Sequence, residues 1–204
     1  MKNRILLITF FIACQAIAVQ AQNGVEQYFY LQKKAVTLVS VIHAQNSKNW
    51  CVEGRYNYEE QNSFSLYTGK TFSKTKAEFS HSLTPILGGV MGRFKGGSMG
   101  LNATLEYKRF AFSSQSQYTV SFKKEEAHPD FFFSWSELNY EFLPWLYFGC
   151  SVQHTFYTQE KNHLLEPGAV LGFTSGKWTF PIYGFSLLKE NRYFVLGISV
   201  QFAK

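Results

Sequence analysis

The sequence lacks the long apolar run that a membrane-spanning helix requires. Beyond its first 21 residues, no stretch approaches the roughly 20 consecutive apolar residues that cross a bilayer as a helix. It also lacks an amphipathic helical pattern of useful length, a domain linker and a low-complexity tract. These absences argue against a helical membrane protein and against several linked domains.

Charge is scarce, and it is concentrated between the predicted strands. Asp, Glu, Lys and Arg make up 17% of the chain, below the roughly 25% of an average soluble domain. Charged groups such as Lys33-Lys34, Glu59-Glu60, Lys108-Arg109 and Lys189-Glu190 stand at turns or strand ends. The formal net charge of +6 is too mild to indicate nucleic acid as a partner.

Cysteines and catalytic motifs are few as well. Cys51 and Cys150 stand in strands that are far apart in sequence, so an exported chain could either pair them or keep two packed thiols. The chain contains no Gly-x-Ser-x-Gly, His-Glu-x-x-His or phosphate-binding glycine loop. We therefore predict no catalytic residue, no metal and no cofactor.

The N-terminus has the pattern of a secretory signal peptide. Lys2 and Arg4 precede the apolar segment 5–13, and Val19-Gln20-Ala21 supplies small residues before a cleavage site. Cleavage after Ala21 would leave residues 22–204 as one domain. A lipoprotein modified at Cys14 and an uncleaved membrane helix are the less favoured alternatives.

What the chain does contain is alternation with a period of two, seen first in segment 49–72. Apolar residues from Trp50 to Tyr58 alternate with polar ones, Glu59–Asn62 forms a polar turn, and the alternation resumes from Ser63. This pattern predicts a β-hairpin with one apolar and one polar face. The same unit recurs at about 15-residue intervals.

Eleven such strands can be placed from Ala35 onward, and the clearest spans Met99–Tyr107. The segment Gln27–Leu31 would make twelve strands, the even number expected of a bacterial barrel. Ten strands remain an alternative if one assigned strand is a loop. Between strands we predict a polar connection at Ser73–Glu78 and longer charged loops at Lys123–Asp130 and Thr158–Glu166.

Three features indicate that the apolar faces point outward into lipid. The polar faces carry Ser, Thr, Asn, Gln, Gly and Tyr instead of the Lys, Glu and Asp that solvate a soluble barrel. The 9–12-residue segments match the roughly 9–11 residues of a tilted membrane strand. Aromatic residues form 18% of the chain and crowd toward strand ends, as in girdles at membrane interfaces. The main examples are Trp50, Tyr56, Tyr58, Tyr107, Phe110, Trp135, Trp145, Tyr147, Trp178 and Tyr193.

These features together predict an all-β fold, a single antiparallel up-and-down transmembrane barrel. Membrane strands must close, because hydrocarbon offers no partner to an open edge. The two long loops fall on one side of the barrel and the short turns on the other, so the short turns and both termini are predicted to be periplasmic. A soluble lipocalin-like periplasmic carrier, with its apolar face turned inward, is an alternative.

The chain resembles the uncharacterised small outer-membrane β-barrel proteins of Gram-negative bacteria. The resemblance is carried by five segments: NWCVEGRYNYEEQNSFSLYTGKTF, GGVMGRFKGGSMGLNATLEY, FFFSWSELNYEFLPWLYFG, GKWTFPIYGF and NRYFVLGISVQF. The last is similar to the C-terminal signal of this class, although Phe202 is followed by Ala203-Lys204. The resemblance implies outer-membrane lipid and the barrel-insertion machinery as partners, and it implies no particular activity.

Four charged residues inside predicted strands form the candidate site, and alternation directs three of them into the lumen. We expect Arg55 to pair with one or more of Glu53, Glu106 and Glu137, either plugging the barrel or setting the charge of a narrow pore. The protein would then be structural, adhesive or pore-forming, with a small solute or an extracellular ligand at its loops. The alternative is a lipid- or envelope-modifying enzyme that uses His154 or His163.

Overall fold

The computed structural model describes residues 23–33, 35–123, 129–159 and 162–202. The predicted signal peptide and Cys14 lie outside these residues. Within them, no helix is long and apolar enough to cross a membrane. The strand segments are β1 Asn23–Gln32, β2 Ala35–Gln45, β3 Trp50–Tyr56, β4 Ser63–Lys70, β5 Phe72–Lys76, β6 Phe79–Gly92, β7 Gly96–Tyr107, β8 Phe110–Ser121, β9 Phe131–Leu143, β10 Leu146–Tyr157, β11 Asn162–Ser175, β12 Trp178–Phe185 and β13 Tyr193–Phe202.

These segments form a closed antiparallel barrel of twelve strands. Each strand pairs with the next along the chain, and β1 pairs with β13, with Asn23 opposite Phe202, which closes the cylinder. Segments β4 and β5 are separated only by Thr71 and both pair with β6, so they are two parts of one barrel strand. The prediction of twelve strands is confirmed, and the alternative of ten is wrong.

Two predicted connections are strands over part of their length. The polar connection at Ser73–Glu78 is mostly β5, and β6 already begins at Phe79. The loop predicted to end at Glu166 ends earlier, because β11 begins at Asn162. Both segments lie at barrel ends, where a charged side chain can reach water while its backbone continues the ladder. Charge there does not mark the end of a strand.

Connection length differs between the two ends of the barrel. One end carries the short turns, the first residue of β1 and the last residue of β13. The short turns are 46–49, 77–78, 108–109, 144–145 and 176–177. The opposite end carries the three longest connections, 57–62, 122–130 and 186–192, together with shorter ones such as 93–95 and 158–161.

The outer face of the barrel is apolar and the inner face contains most of the buried polar residues. Leu66 is 50% exposed and Leu87 63% exposed on the outside, whereas the neighbouring Ser65 is fully buried inside. This distribution is the reverse of a soluble barrel, which places its apolar residues within. The observed faces match the prediction that the apolar side chains point outward.

The aromatic residues divide between the outer wall and the lumen. Five predicted girdle residues are exposed beside the short turns: Trp50, Tyr107, Phe110, Trp145 and Trp178. They form a ring at this end of the outer wall, as expected at a membrane interface.

The girdle prediction is wrong for Trp135, which is buried in a cluster with Tyr193, and for Tyr58, which bonds to Gln115 in the lumen. Tyr147 packs against the same buried cluster.

The exposed apolar band supports a prediction about Leu87, near the middle of β6. Leu87→Arg should destabilise the barrel in lipid by about 2–4 kcal/mol, the cost of a cation at the bilayer midplane. Urea unfolding from lipid vesicles measures this change, with Leu87→Ala as the uncharged control. Equal stability of the two variants would show that this face does not meet lipid.

Candidate functional site

The charged centre of the lumen begins on β3. Residues two apart on a strand share a face, and this spacing directs Glu53 and Arg55 inward. Arg55 is 1% exposed and its Nε donates to the Glu53 carboxylate at 2.5 Å. A guanidinium carries its charge at any physiological pH, so this is a buried ion pair.

The loop that follows β3, residues 57–62, bends into the lumen. Asn57 and Asn62 both adopt the left-handed conformation, with φ of 58° and 57°, which asparagine tolerates better than most residues. The Asn62 amide donates to Asn57 Oδ1 at 2.7 Å, and Asn57 Nδ2 donates to the Leu38 carbonyl at 2.9 Å. These bonds fix the base of the loop, and Tyr58 and Glu59 then point inward.

Glu59 ties this inward loop to the barrel wall. Its side chain is fully buried, and its carboxylate lies 3.3 Å from the Arg55 guanidinium. It also accepts hydrogen bonds from Ser65 Oγ at 2.7 Å and from the Tyr67 hydroxyl at 2.8 Å. Arg55 is therefore compensated by two carboxylates, those of Glu53 and Glu59.

The same network crosses the lumen to β8, which is separated from β3 by the strands containing β4, β6 and β7. Gln117 on β8 accepts from Arg55 and donates to Glu59 at 3.4 Å. The Tyr58 hydroxyl donates to Gln115 Oε1 at 2.7 Å. Side chains of β3 and of the inward loop thus bridge to β8, across the three barrel strands that lie between them.

Two tyrosines enclose the guanidinium of Arg55. The ring centroids of Tyr58 and Tyr67 lie 4.3 and 4.4 Å from its central carbon, within the range of a cation–π contact. Burial raises the pKa of Tyr58 well above its ordinary value, and the nearby guanidinium acts in the opposite direction. The phenol therefore stays protonated and donates its hydrogen bond.

Aromatic side chains of β9, β12 and β13 pack together in another part of the lumen. Trp135, Tyr183, Phe185 and Tyr193 are buried in one cluster, against which Tyr28 packs. The Trp135 indole donates to Ser151 Oγ at 2.8 Å, so its polar atom is satisfied. Together with the Arg55 network, this cluster narrows the middle of the barrel.

A small cavity lies on the long-loop side of this constriction. Its volume is about 160 Å³, and its walls include residues from the inward loop, β8 and β9. Six of the lining residues are Tyr58, Glu60, Gln117, Pro129, Phe131 and Phe133. The inward loop therefore forms the floor of a recess that opens toward the longer connections.

The structure does not bring all four predicted charged residues together. Glu53 and Arg55 are in contact, as described above. Glu106 lies at the short-turn end, where it is exposed and accepts from Ser80 Oγ at 2.8 Å. Glu137 lies on β9, half-buried, and accepts from Asn139 Nδ2 at 3.2 Å. Neither bonds to Arg55.

Sequence reasoning missed Glu59, Tyr67 and Gln117 as partners of Arg55. The polar turn predicted at Glu59–Asn62 is present, but it folds into the lumen, and the Glu59 side chain is buried. The two asparagines that flank the turn are the only local signal, since a pair of left-handed positions allows a loop to fold back. Nothing local in the sequence links Gln117 to Arg55, which is 62 positions away.

The histidines of the alternative hypothesis lie outside the lumen. His154 Nε2 is 3.1 Å from His163 Nδ1, and the two rings are stacked with centroids 5.4 Å apart. Neither ring bonds to a carboxylate or serine that would orient it as a catalytic base, among the residues described. Cys51 and Cys150 are free thiols. Among all the residues that the structure describes, no group of three or more potential metal ligands lies close enough together to bind a metal ion.

Closed antiparallel barrels with an apolar outer band and a polar, constricted lumen are the architecture of outer-membrane porins, and comparison with known structures bears out that class of fold. The KdgM porin superposes with a TM-score of 0.60 at 13% identity, covering 88% of this chain and 99% of that one. The NanC porin superposes with a TM-score of 0.61 at 10% identity, covering 89% and 100%.

A second KdgM structure, in complex with disordered oligogalacturonate, gives a TM-score of 0.60 at 12% identity, covering 88% and 99%. No protein-family model matches this chain, and no curated protein matches its sequence. At these identities the likeness establishes the fold alone, a closed antiparallel barrel of twelve strands that resembles those of the porins.

Proposed function

We propose that this chain is a narrow-pore protein of a bacterial outer membrane. Its short turns and both chain ends would lie in the periplasm, with the longer connections outside. Three features support this location: the apolar outer face, the girdle of exposed aromatic residues near the short turns, and the similarity of the fold to porins. The lumen would pass small polar solutes past the constriction formed by the inward loop.

The observation that carries the proposal is the attachment of the inward loop. Tyr58 and Glu59 reach β8 and the Arg55 guanidinium through polar side-chain contacts. Such contacts can be exchanged for water or for a polar solute, whereas a packed apolar plug has no such substitute. A polar constriction of this kind limits passage by size and charge, as rings of charged side chains do in channels.

A second candidate function is a closed barrel with a structural or adhesive role. Arg55 and Tyr67 are each 1% exposed, so the middle of the lumen is occupied in the described conformation. In that case the external connections, including residues 122–130 and 186–192, would carry the activity. We assign no catalytic role in either case.

Reconstitution separates these two functions. The purified protein should migrate faster on a gel before heating than after heating, as folded barrels do. In a planar bilayer the wild type should give small but discrete current steps. A folded, heat-modifiable protein that conducts no ions, even after the inward loop is altered as described below, would exclude the pore and favour the structural role.

A further inference from the structure

The cationic side chains of the described strands are distributed unevenly between the two faces. These strands contain four Lys or Arg residues, and only Arg55 faces the lumen. Lys70 lies over the exposed rings of Trp50 and Phe72, at 5.5 and 5.9 Å from their centroids. The other two, on β5, are exposed and alternate with the inward positions of that segment.

The carboxylates of the same strands face the lumen. Glu26 stands directly opposite Val41, and Glu137 directly opposite Ser151, and both of these partners are buried inside the barrel. Because directly opposed residues share a face of the sheet, Glu26 and Glu137 face the lumen. By the same alternation, all the strand carboxylates point inward: Glu26, Glu53, Glu106, Glu137, Glu141 and Glu166.

The one inward guanidinium is already compensated by Glu53 and Glu59. Glu26 accepts a hydrogen bond from the Tyr28 hydroxyl at 2.8 Å, and Glu137 accepts one from the Asn139 amide at 3.2 Å. Both donors are neutral. Neither carboxylate forms an ion pair with any described residue. These two inward carboxylates are therefore not compensated by any cationic side chain that the structure describes.

We propose that the lumen passes small cations in preference to anions, and that Glu26 and Glu137 determine this selectivity. Inward carboxylates in a narrow, poorly screened passage attract cations and repel anions. Tyr28, whose ring is only partly buried, packs against the buried Trp135 and Tyr183, and an accessible aromatic ring beside the carboxylates suits organic ammonium groups as well as metal cations. This inference rests on the proposed pore function.

The lysines of the external connections do not oppose this selectivity strongly. Lys95, Lys123 and Lys189 are exposed to solvent, and at physiological salt their field decays over about 8 Å. The structurally similar KdgM porin was solved with oligogalacturonate, a polyanion. A lumen with inward carboxylates is unsuited to such a solute, so we do not expect this chain to pass it.

The test is the reversal potential of many reconstituted channels under a tenfold KCl gradient, which measures the permeability ratio of K⁺ to Cl⁻. Wild type should favour K⁺ severalfold. Glu26→Gln with Glu137→Gln should bring the ratio close to one while current persists. Glu78→Gln is the matched control, because Glu78 lies in a short turn, exposed and paired with Lys108, and its ratio should equal that of wild type.

The outcomes distinguish this inference from the pore itself. Absence of current in every variant would overturn the proposed function. Current with a preference for Cl⁻, or a ratio that the double Gln variant leaves unchanged, would overturn the cation selectivity while the pore stands. Tetramethylammonium chloride in place of KCl extends the test to organic cations. The permeability ratio of tetramethylammonium to Cl⁻ should again be high for wild type and Glu78→Gln and close to one for the double Gln variant.

Discussion

Arg55→Ala is expected to lower the free energy of unfolding of the barrel by about 3–5 kcal/mol. This is the usual cost of removing one partner of a buried ion pair and leaving the other charge without compensation. The loss arises because Glu53 and Glu59 would remain buried without a cation, and because Gln117 would lose its donor. Urea unfolding from vesicles measures the change, and the temperature at which the folded band disappears from a gel provides a second readout.

Two further variants separate the charge effect from lost packing. Gln117→Ala removes a neutral partner and should cost about 1 kcal/mol, as for an ordinary hydrogen bond. The triple variant Glu53→Gln, Arg55→Met, Glu59→Gln removes all three charges, and it should recover most of the stability that Arg55→Ala loses. If Arg55→Ala were no less stable than Gln117→Ala, the triad would not be a buried ionic network.

The barrel could be predicted from the sequence because its signal is local. Between Met99 and Tyr107 every second residue lies on the outer face, and a one-residue error would reverse both faces. The same signal failed at the ends of the barrel. In β5, Lys74 and Lys76 suggested a loop, but their position at the barrel end allows charge on a paired strand.

The lumen network could be predicted only in part because its contacts are not local. Glu53 and Arg55 share a face by spacing alone, so their contact follows from β3. The partnership with Gln117 depends on how many strands close the barrel and on their stagger. The burial of Glu59 depends on the direction in which residues 57–62 fold, which polar composition does not encode.

Removal of the inward loop's contacts should widen the passage. Tyr58→Ala with Glu59→Ala deletes the two side chains that reach β8 and Arg55, and it should raise single-channel conductance severalfold in a planar bilayer. The cation–π contact of Tyr58 with Arg55 is lost as well, so the guanidinium gains freedom to move toward the wall. Conductance follows the narrowest cross-section, so even a local change there has a large effect.

Gln61→Ala is the matched control, since Gln61 belongs to the same loop but is exposed, and its conductance should equal that of wild type. Arg55→Ala should change conductance too, because the guanidinium lies at the same constriction. If both the double variant and Arg55→Ala conduct like wild type, the inward loop does not limit passage. Trp135 and Tyr183 would then be the next side chains to truncate, because they belong to the aromatic cluster that is buried in the lumen.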